Sequence, residues 1–117
     1  MAAYFAGPDE GERLEREHRS LRLLGELPHV EAVDSTFEPG WPGIAPHSHD
    51  DHTDSFYVLE GEAEFLVDGE WRSGGPGTYV SFPPGVEHGL RLAGPGRLRV
   101  LNLHTPNVGF NESLRNR

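Results

Sequence analysis

The sequence predicts an all-β protein, a sandwich or barrel of eight or so short strands. Three observations predict it. Short apolar runs rich in Val, Phe, Tyr and Leu recur along the chain, and none is long enough for a buried helix. The 15 Gly and 10 Pro fall between those runs as punctuation rather than in a low-complexity tract. Asp68-Gly69 sits directly between two such runs, and Asp-Gly favours the two-residue hairpin turn that needs positive φ at both positions.

The elements follow in order. Residues 1–17 are broken by Gly7-Pro8 and Gly11 and are charge-rich from Glu10 to Glu17. Leu14, His18, Leu21 and Leu24 lie at helical spacing, but Ser20 to Leu24 also reads as extended, and a strand over 19–25 is favoured. Val30 to Glu38 is β-rich and stops at Pro39-Gly40, after which Gly40 to Gly43 forms a loop. Ile44 to His49 reads as a strand, 50–53 as a polar loop, and Ser55 to Leu59 as a strand ended by Glu60-Gly61. Glu62 to Val67 pairs through Asp68-Gly69 with Glu70 to Arg72, and Gly74 to Gly77 is the next turn. Thr78 to Phe82, His88 to Leu92 and Arg97 to His104 complete the strands, separated by Pro83-Pro84-Gly85 and Gly94-Pro95-Gly96. The tail, Thr105 to Arg117, offers Phe110 and Leu114 as docking residues. One domain accounts for residues 1–117: an N-terminal extension over 1–18, a barrel over 19–104 and a tail over 105–117.

Charge and composition bound the function. A net charge of −9 opposes a nucleic-acid surface, which needs a basic stripe, and opposes an anionic membrane. No apolar run approaches the length of a membrane span, and the N-terminus lacks the charged-then-apolar pattern of a secretory signal, so a cytoplasmic protein is expected. There is no cysteine, so any metal must be held by His, Asp or Glu.

The chemistry concentrates in His47-Ser48-His49-Asp50-Asp51-His52-Thr53-Asp54 and in Pro83-Pro84-Gly85-Val86-Glu87-His88. Histidines at i and i+2 share a face only on an extended backbone, so His47 and His49 are expected on one face of a strand. A later strand can bring His88 to the same point. Imidazole nitrogen with carboxylate is the ligand set of Fe, Mn, Ni, Zn and Cu sites. By parity His52 does not follow His49 onto its face, but it stays an alternative to Asp54 as the residue completing the site. Asp54, Phe56 and Val58 should share the interior face of their strand, with Tyr57 and Leu59 on the other. Asp50, Asp51 and the alternating Glu60, Glu62 and Glu64 read as solvated, Trp41 and Trp71 as packing residues, and His104 as a residue at a strand end near the pocket.

These residues resemble the cupin family. Its first motif is a Gly, a short spacer, His-x-His, three or four residues, Glu, six residues and Gly; here it reads His47-x-His49, four residues, Asp54, six residues, Gly61. Its second is Gly, five residues, Pro-x-Gly, two residues and His; here it reads Gly77, five residues, Pro83-x-Gly85, two residues, His88. Three positions depart: Asp54 replaces the usual Glu and is one methylene shorter, the opening Gly is offset to Gly40 or Gly43, and Leu92 replaces a frequent Asn.

The resemblance implies a double-stranded β-helix, the jelly-roll barrel of two antiparallel sheets, with one divalent transition metal ion (Fe, Mn, Ni or Zn) held by His47, His49, His88 and Asp54. It implies an enzyme on a small organic molecule chelated to that ion, first a dioxygenase-type oxidoreductase, with Asp54 moving protons if it is not itself a ligand. A metal-dependent isomerase or lyase, and a non-catalytic binder of a sugar or metabolite, stay open beside it. It also implies a homodimer, with residues 19–38 contributing much of the interface.

Overall fold

The computed structural model describes residues 2–117 and contains ten strands and one short helix. The strands are β1 (Glu12–Arg16), β2 (Arg19–Leu27), β3 (Val30–Phe37), β4 (Ile44–His47), β5 (Thr53–Glu60), β6 (Ala63–Val67), β7 (Glu70–Gly74), β8 (Tyr79–Phe82), β9 (His88–Leu92) and β10 (Leu98–Thr105), and α1 is Phe110–Arg115. All pairings are antiparallel. One sheet has the order β1-β2-β3-β10-β5-β8 and the other β4-β9-β6-β7, the two layers expected of a jelly roll.

Period-two alternation decides what faces inward. Asp54, Phe56 and Val58 are buried while Tyr57 and Leu59 are exposed, as their parity predicts. On β10 the inward set is Leu98, Val100, Asn102 and His104. The core between the sheets is built on Phe37, Phe56, Val58, Phe65, Phe82, Leu90, Leu98 and Val100, with Trp41 packed against it by stacking on Phe37 at 3.7 Å. Asp68 and Gly69 both carry positive φ (50° and 83°), so the β6–β7 hairpin turns as its sequence demands. Gly61, at φ 86°, tolerates no side chain, because a Cβ there would lie 2.1 Å from the Arg97 carbonyl oxygen.

Three features differ from the sequence reading. β1 is a strand within the charge-rich stretch, with Leu14 turned inward beside Leu21 and charges on either side. β4 ends at His47, so His49 lies beyond the strand rather than on it. β5 begins at Thr53, which places Asp54 inside the sheet.

The six-stranded sheet is wider than its partner. Leu21, Leu23 and Val33 on its inner face are covered instead by α1, through Leu114 and Phe110. Glu31, 1% exposed, anchors that tail. Its carboxylate accepts backbone N–H bonds from Val108 (2.8 Å), Phe110 (3.2 Å) and Asn111 (2.8 Å).

Candidate metal centre

The two sheets meet at one end of the barrel in a cluster of histidines around Asp54. His47, the last residue of β4, is the cross-strand partner of His88, the first residue of β9. Directly opposed side chains lie close on one sheet face, and the two ring centroids are 4.4 Å apart. Asp54 comes from the other sheet, where β5 sits between β10 and β8 and pairs it with His104 and Phe82. His49, beyond its strand, is held by the second motif, because the Gly85 N–H donates to its carbonyl at 2.6 Å. Gly85 itself has φ 83°, which the Pro-x-Gly turn requires.

The donor atoms of His47, His49, Asp54 and His88 all lie within 4.8 Å of one another. His47 Nε2 is 3.0 Å from His49 Nε2, His49 Nε2 is 3.6 Å from Asp54 Oδ2, and His88 Nε2 is 3.0 Å from the same oxygen. His47 Nδ1–H donates to the Ala45 carbonyl at 2.8 Å and His88 Nδ1–H to the Val86 carbonyl at 2.9 Å. That bond decides the tautomer: with the proton on Nδ1, the Nε2 of a neutral ring carries a lone pair. Neutral His88 then points a lone pair at a carboxylate, and neutral His47 points one at a second imidazole. The His88 contact is repulsive unless a cation, whether proton or metal, lies beside the two atoms, whereas the His47 contact is also met when neutral His49 carries its proton on Nε2. The residues therefore fit a divalent ion, with three nitrogens and one oxygen as the donor set.

Electrostatics agree with the geometry. Burial alone would push the Asp54 carboxyl up, but hydrogen bonds from His104, His88 and Asn102 hold it well below the usual carboxylate range. For His88 burial opposes protonation, yet the bonds to Asp54 and to the Val86 carbonyl raise its pKa above the ordinary imidazole value. His49 is lowered, first by burial and then by its histidine neighbours.

His52 stands outside this group of four. It is buried, its Nδ1 is 2.8 Å from Asp51 Oδ1, and its Nε2 has no partner. His104 is closer to the centre than a strand-end reading suggests, with Nε2 at 3.2 Å from Asp54 Oδ1. Two further residues escape the sequence reading. Asn102 donates to Asp54 Oδ1 at 2.7 Å and to the Ser55 carbonyl at 2.9 Å, and Phe82 stacks on His88 with centroids 4.5 Å apart. Asn102 shares the inward parity of Val100 and His104 on β10, a signal legible in the alternation alone.

The site opens on the His47 and His49 side. The His49 side chain is 31% exposed, against 3% for His88 and 6% for Asp54. Beneath it Phe56 packs against Phe65 and Phe82.

Comparison with known proteins places these features in context. Residues 33–104 match the cupin domain family. Over 92 residues the chain is 29% identical to quercetin 2,3-dioxygenase of Bacillus subtilis (strain 168), an alignment covering 76% of this chain and 27% of that protein, so the chain spans about a quarter of the relative's length. Among solved structures, an RmlC-like cupin from Shewanella frigidimarina superposes with a TM-score of 0.77 at 25% identity, covering 90% of this chain and 92% of the other. KdgF from Halomonas sp. superposes with a TM-score of 0.77 at 24% identity, covering 91% and 94%.

Proposed function

This chain belongs to the cupin family, and from that premise we propose that it is a metal-dependent enzyme of the dioxygenase type acting on a small organic molecule. The observation that carries the proposal is the convergence of donor atoms from His47, His49, His88 and Asp54 within 4.8 Å of one another, with the Nε2 lone pairs of neutral His47 and His88 turned into the cluster. His47, His49, His88 and Asp54 would hold a divalent transition ion there, which would supply Lewis-acid chemistry for a substrate and co-substrate. The likeness to quercetin 2,3-dioxygenase supports the dioxygenase type.

The chain's own residues do the rest. The Ala45 and Val86 carbonyls lock two rings in the tautomer that presents Nε2. Asn102 and His104 hold Asp54 by its Oδ1, leaving Oδ2 for the ion. Asp54 is thereby a ligand rather than a proton carrier, since a carboxylate held this far below its ordinary range is a poor base. Phe82 and Phe56 keep water from the inner side. On the same footing we propose that the protein works as a two-fold homodimer.

The test is elemental analysis of tag-free protein together with oxygen consumption. Wild-type protein should carry a redox-active divalent ion in His88-dependent stoichiometry, and His88→Ala should lose it. Full occupancy in His88→Ala would overturn the ligand assignment. A bound ion with no oxygen uptake against a panel of small chelating organic compounds would move the function to the isomerase, lyase or plain binding reading.

A further inference from the structure

We propose a second cation position beside the first, held by His52 Nε2, His104 Nε2 and Asp54 Oδ1, so that the Asp54 carboxylate bridges two ions. The inference goes beyond the mononuclear reading above; Asp54 is the one ligand common to both, and His104, which there only holds Asp54, becomes a ligand.

The three residues each bring a donor atom to within 4.8 Å of the others', and all three are buried, at 5%, 3% and 4% exposure. His52 carries the argument. Its Nδ1 is committed to the Asp51 carboxylate at 2.8 Å, and an anion there accepts only a proton, so Nε2 is left with a lone pair. That lone pair is shut off from solvent and meets no donor among the described residues. A buried polar atom left without a partner is destabilising, and retained groups of this kind call for a missing partner. The nitrogen is closed to solvent, so an organic ligand has no room to reach it. A bare ion needs only the space among the donors themselves.

His104 shows the same arrangement. Its Nε2 is 3.2 Å from Asp54 Oδ1 and its Nδ1 is 3.8 Å from Glu31 Oε2. A neutral ring has one proton for two nitrogens, so one of them faces a carboxylate with a lone pair. Without a second ion the proton sits on Nε2 and bonds Asp54 Oδ1; an ion there would displace it to Nδ1, on the Glu31 side, and leave Nε2 free to ligate. His52 then has a hydrogen-bonded carboxylate behind it and a nitrogen ahead of it, the orienting pattern that raises the basicity of metal-binding histidines, while Glu31 stands behind His104 at 3.8 Å as a nearby charge only. Asp54 Oδ1 also accepts the Asn102 amide at 2.7 Å, which occupies one of its lone pairs and leaves the other. Two imidazoles and one carboxylate on a single ion is a recurrent first-row metal set. Asp54, Asp51 and Glu31 together offset the added positive charge, on a chain whose net charge is already −9.

Manganese(II) serves as the probe, added to metal-free, tag-free protein with binding followed by equilibrium dialysis and electron paramagnetic resonance. Wild-type protein should bind two equivalents per chain, the loaded form showing the broadened spectrum of two exchange-coupled ions. His52→Ala and the milder His52→Gln should each bind one equivalent and show the sharp six-line spectrum of an isolated ion. His88→Ala should lose the other equivalent. Saturation of wild-type protein at one equivalent with an uncoupled spectrum overturns the second position and leaves the first intact. Two uncoupled equivalents, or two equivalents in both His52 variants, place the extra ion elsewhere and overturn it equally. No binding at all removes the first site as well, so the two readings fail separately. The wild-type spectrum decides the matter even where a variant does not fold.

Discussion

At the scale of single residues, Asp54 and His88 set the terms on which the site takes a metal. They form a buried contact at 3.0 Å, and without a metal that contact is satisfied by a second proton on His88. Proton and metal therefore compete for the same nitrogen. Because the His88 pKa is raised, the competition begins above the ordinary imidazole value of about 6.5 and strengthens as pH falls through it. His49, lowered, takes up its proton only at a lower pH than His88 does. Apparent metal affinity should thus start to decline at a higher pH than an ordinary imidazole would give, by up to about tenfold per pH unit once His88 is mostly protonated. Asp54→Asn should weaken binding and also move this decline to lower pH, because the anion that raises His88 is gone. Affinity measured at half-unit intervals from pH 5.5 to 8.5 checks both. A decline at unchanged pH in Asp54→Asn would show that Asp54 does not govern the His88 proton. These residues were legible from the two motif spacings and strand parity. The His49 position was not, since it depends on a backbone bond from Gly85, 36 positions away in sequence.

At the scale of elements, the tail shows what local pattern leaves out. Glu31 sits at an inward parity position on β3 with Val33, Ser35 and Phe37, where a carboxylate looks like an error of patterning. Its partners are the N–H groups at the start of α1, 77 to 80 positions away, which no window on β3 contains. β1 was hidden for the opposite reason. Edge strands carry charges that discourage pairing with other chains, so Glu12-Arg13-Leu14-Glu15-Arg16 has one apolar residue and no visible alternation. The Asp34 network is similar: its carboxylate, on the outer face, takes hydrogen bonds from Arg22 and Arg99, neither near it in sequence. Glu31→Gln should test the tail anchor. A Gln turns a donor toward N–H groups that need an acceptor, and the loss should be about 1–3 kcal/mol. Urea unfolding should show a lower midpoint with an unchanged slope if the loss is one of stability alone. A midpoint within error of wild type would mean that α1 holds its place by Leu114 and Phe110 packing without the carboxylate.

At the scale of the whole molecule, the question is what covers the outside of the six-stranded sheet. Among the described residues there is one short helix, and α1 is spent on the inner face, over Leu21, Leu23 and Val33. The outer face keeps Tyr57 (42%), Leu59 (40%) and Tyr79 (61%) exposed, with Tyr57 and Tyr79 directly paired between β5 and β8. A second exposed area lies by the N-terminal arm, where the Tyr4 ring packs over Gly25 of β2 and Phe5 is 88% exposed. Phe5 is the most exposed of the large apolar side chains among the described residues. An apolar side chain held out from an arm anchored on its own sheet is well placed to reach a second copy, and closed two-fold pairs are the commonest assemblies. The contact should centre on this arm and on β2; β2 lies within the stretch 19–38 expected from the sequence, and the arm lies outside it. Light scattering coupled to size exclusion at low micromolar concentration should find a mass of twice 13.0 kDa. Phe5→Glu should shift it toward the monomer, while Tyr79→Glu, on the far border of the sheet, should leave the dimer intact. Dissociation by Tyr79→Glu alone would move the interface to the β5–β8 face, and a monomeric wild-type protein would mean that both apolar areas stay open to solvent.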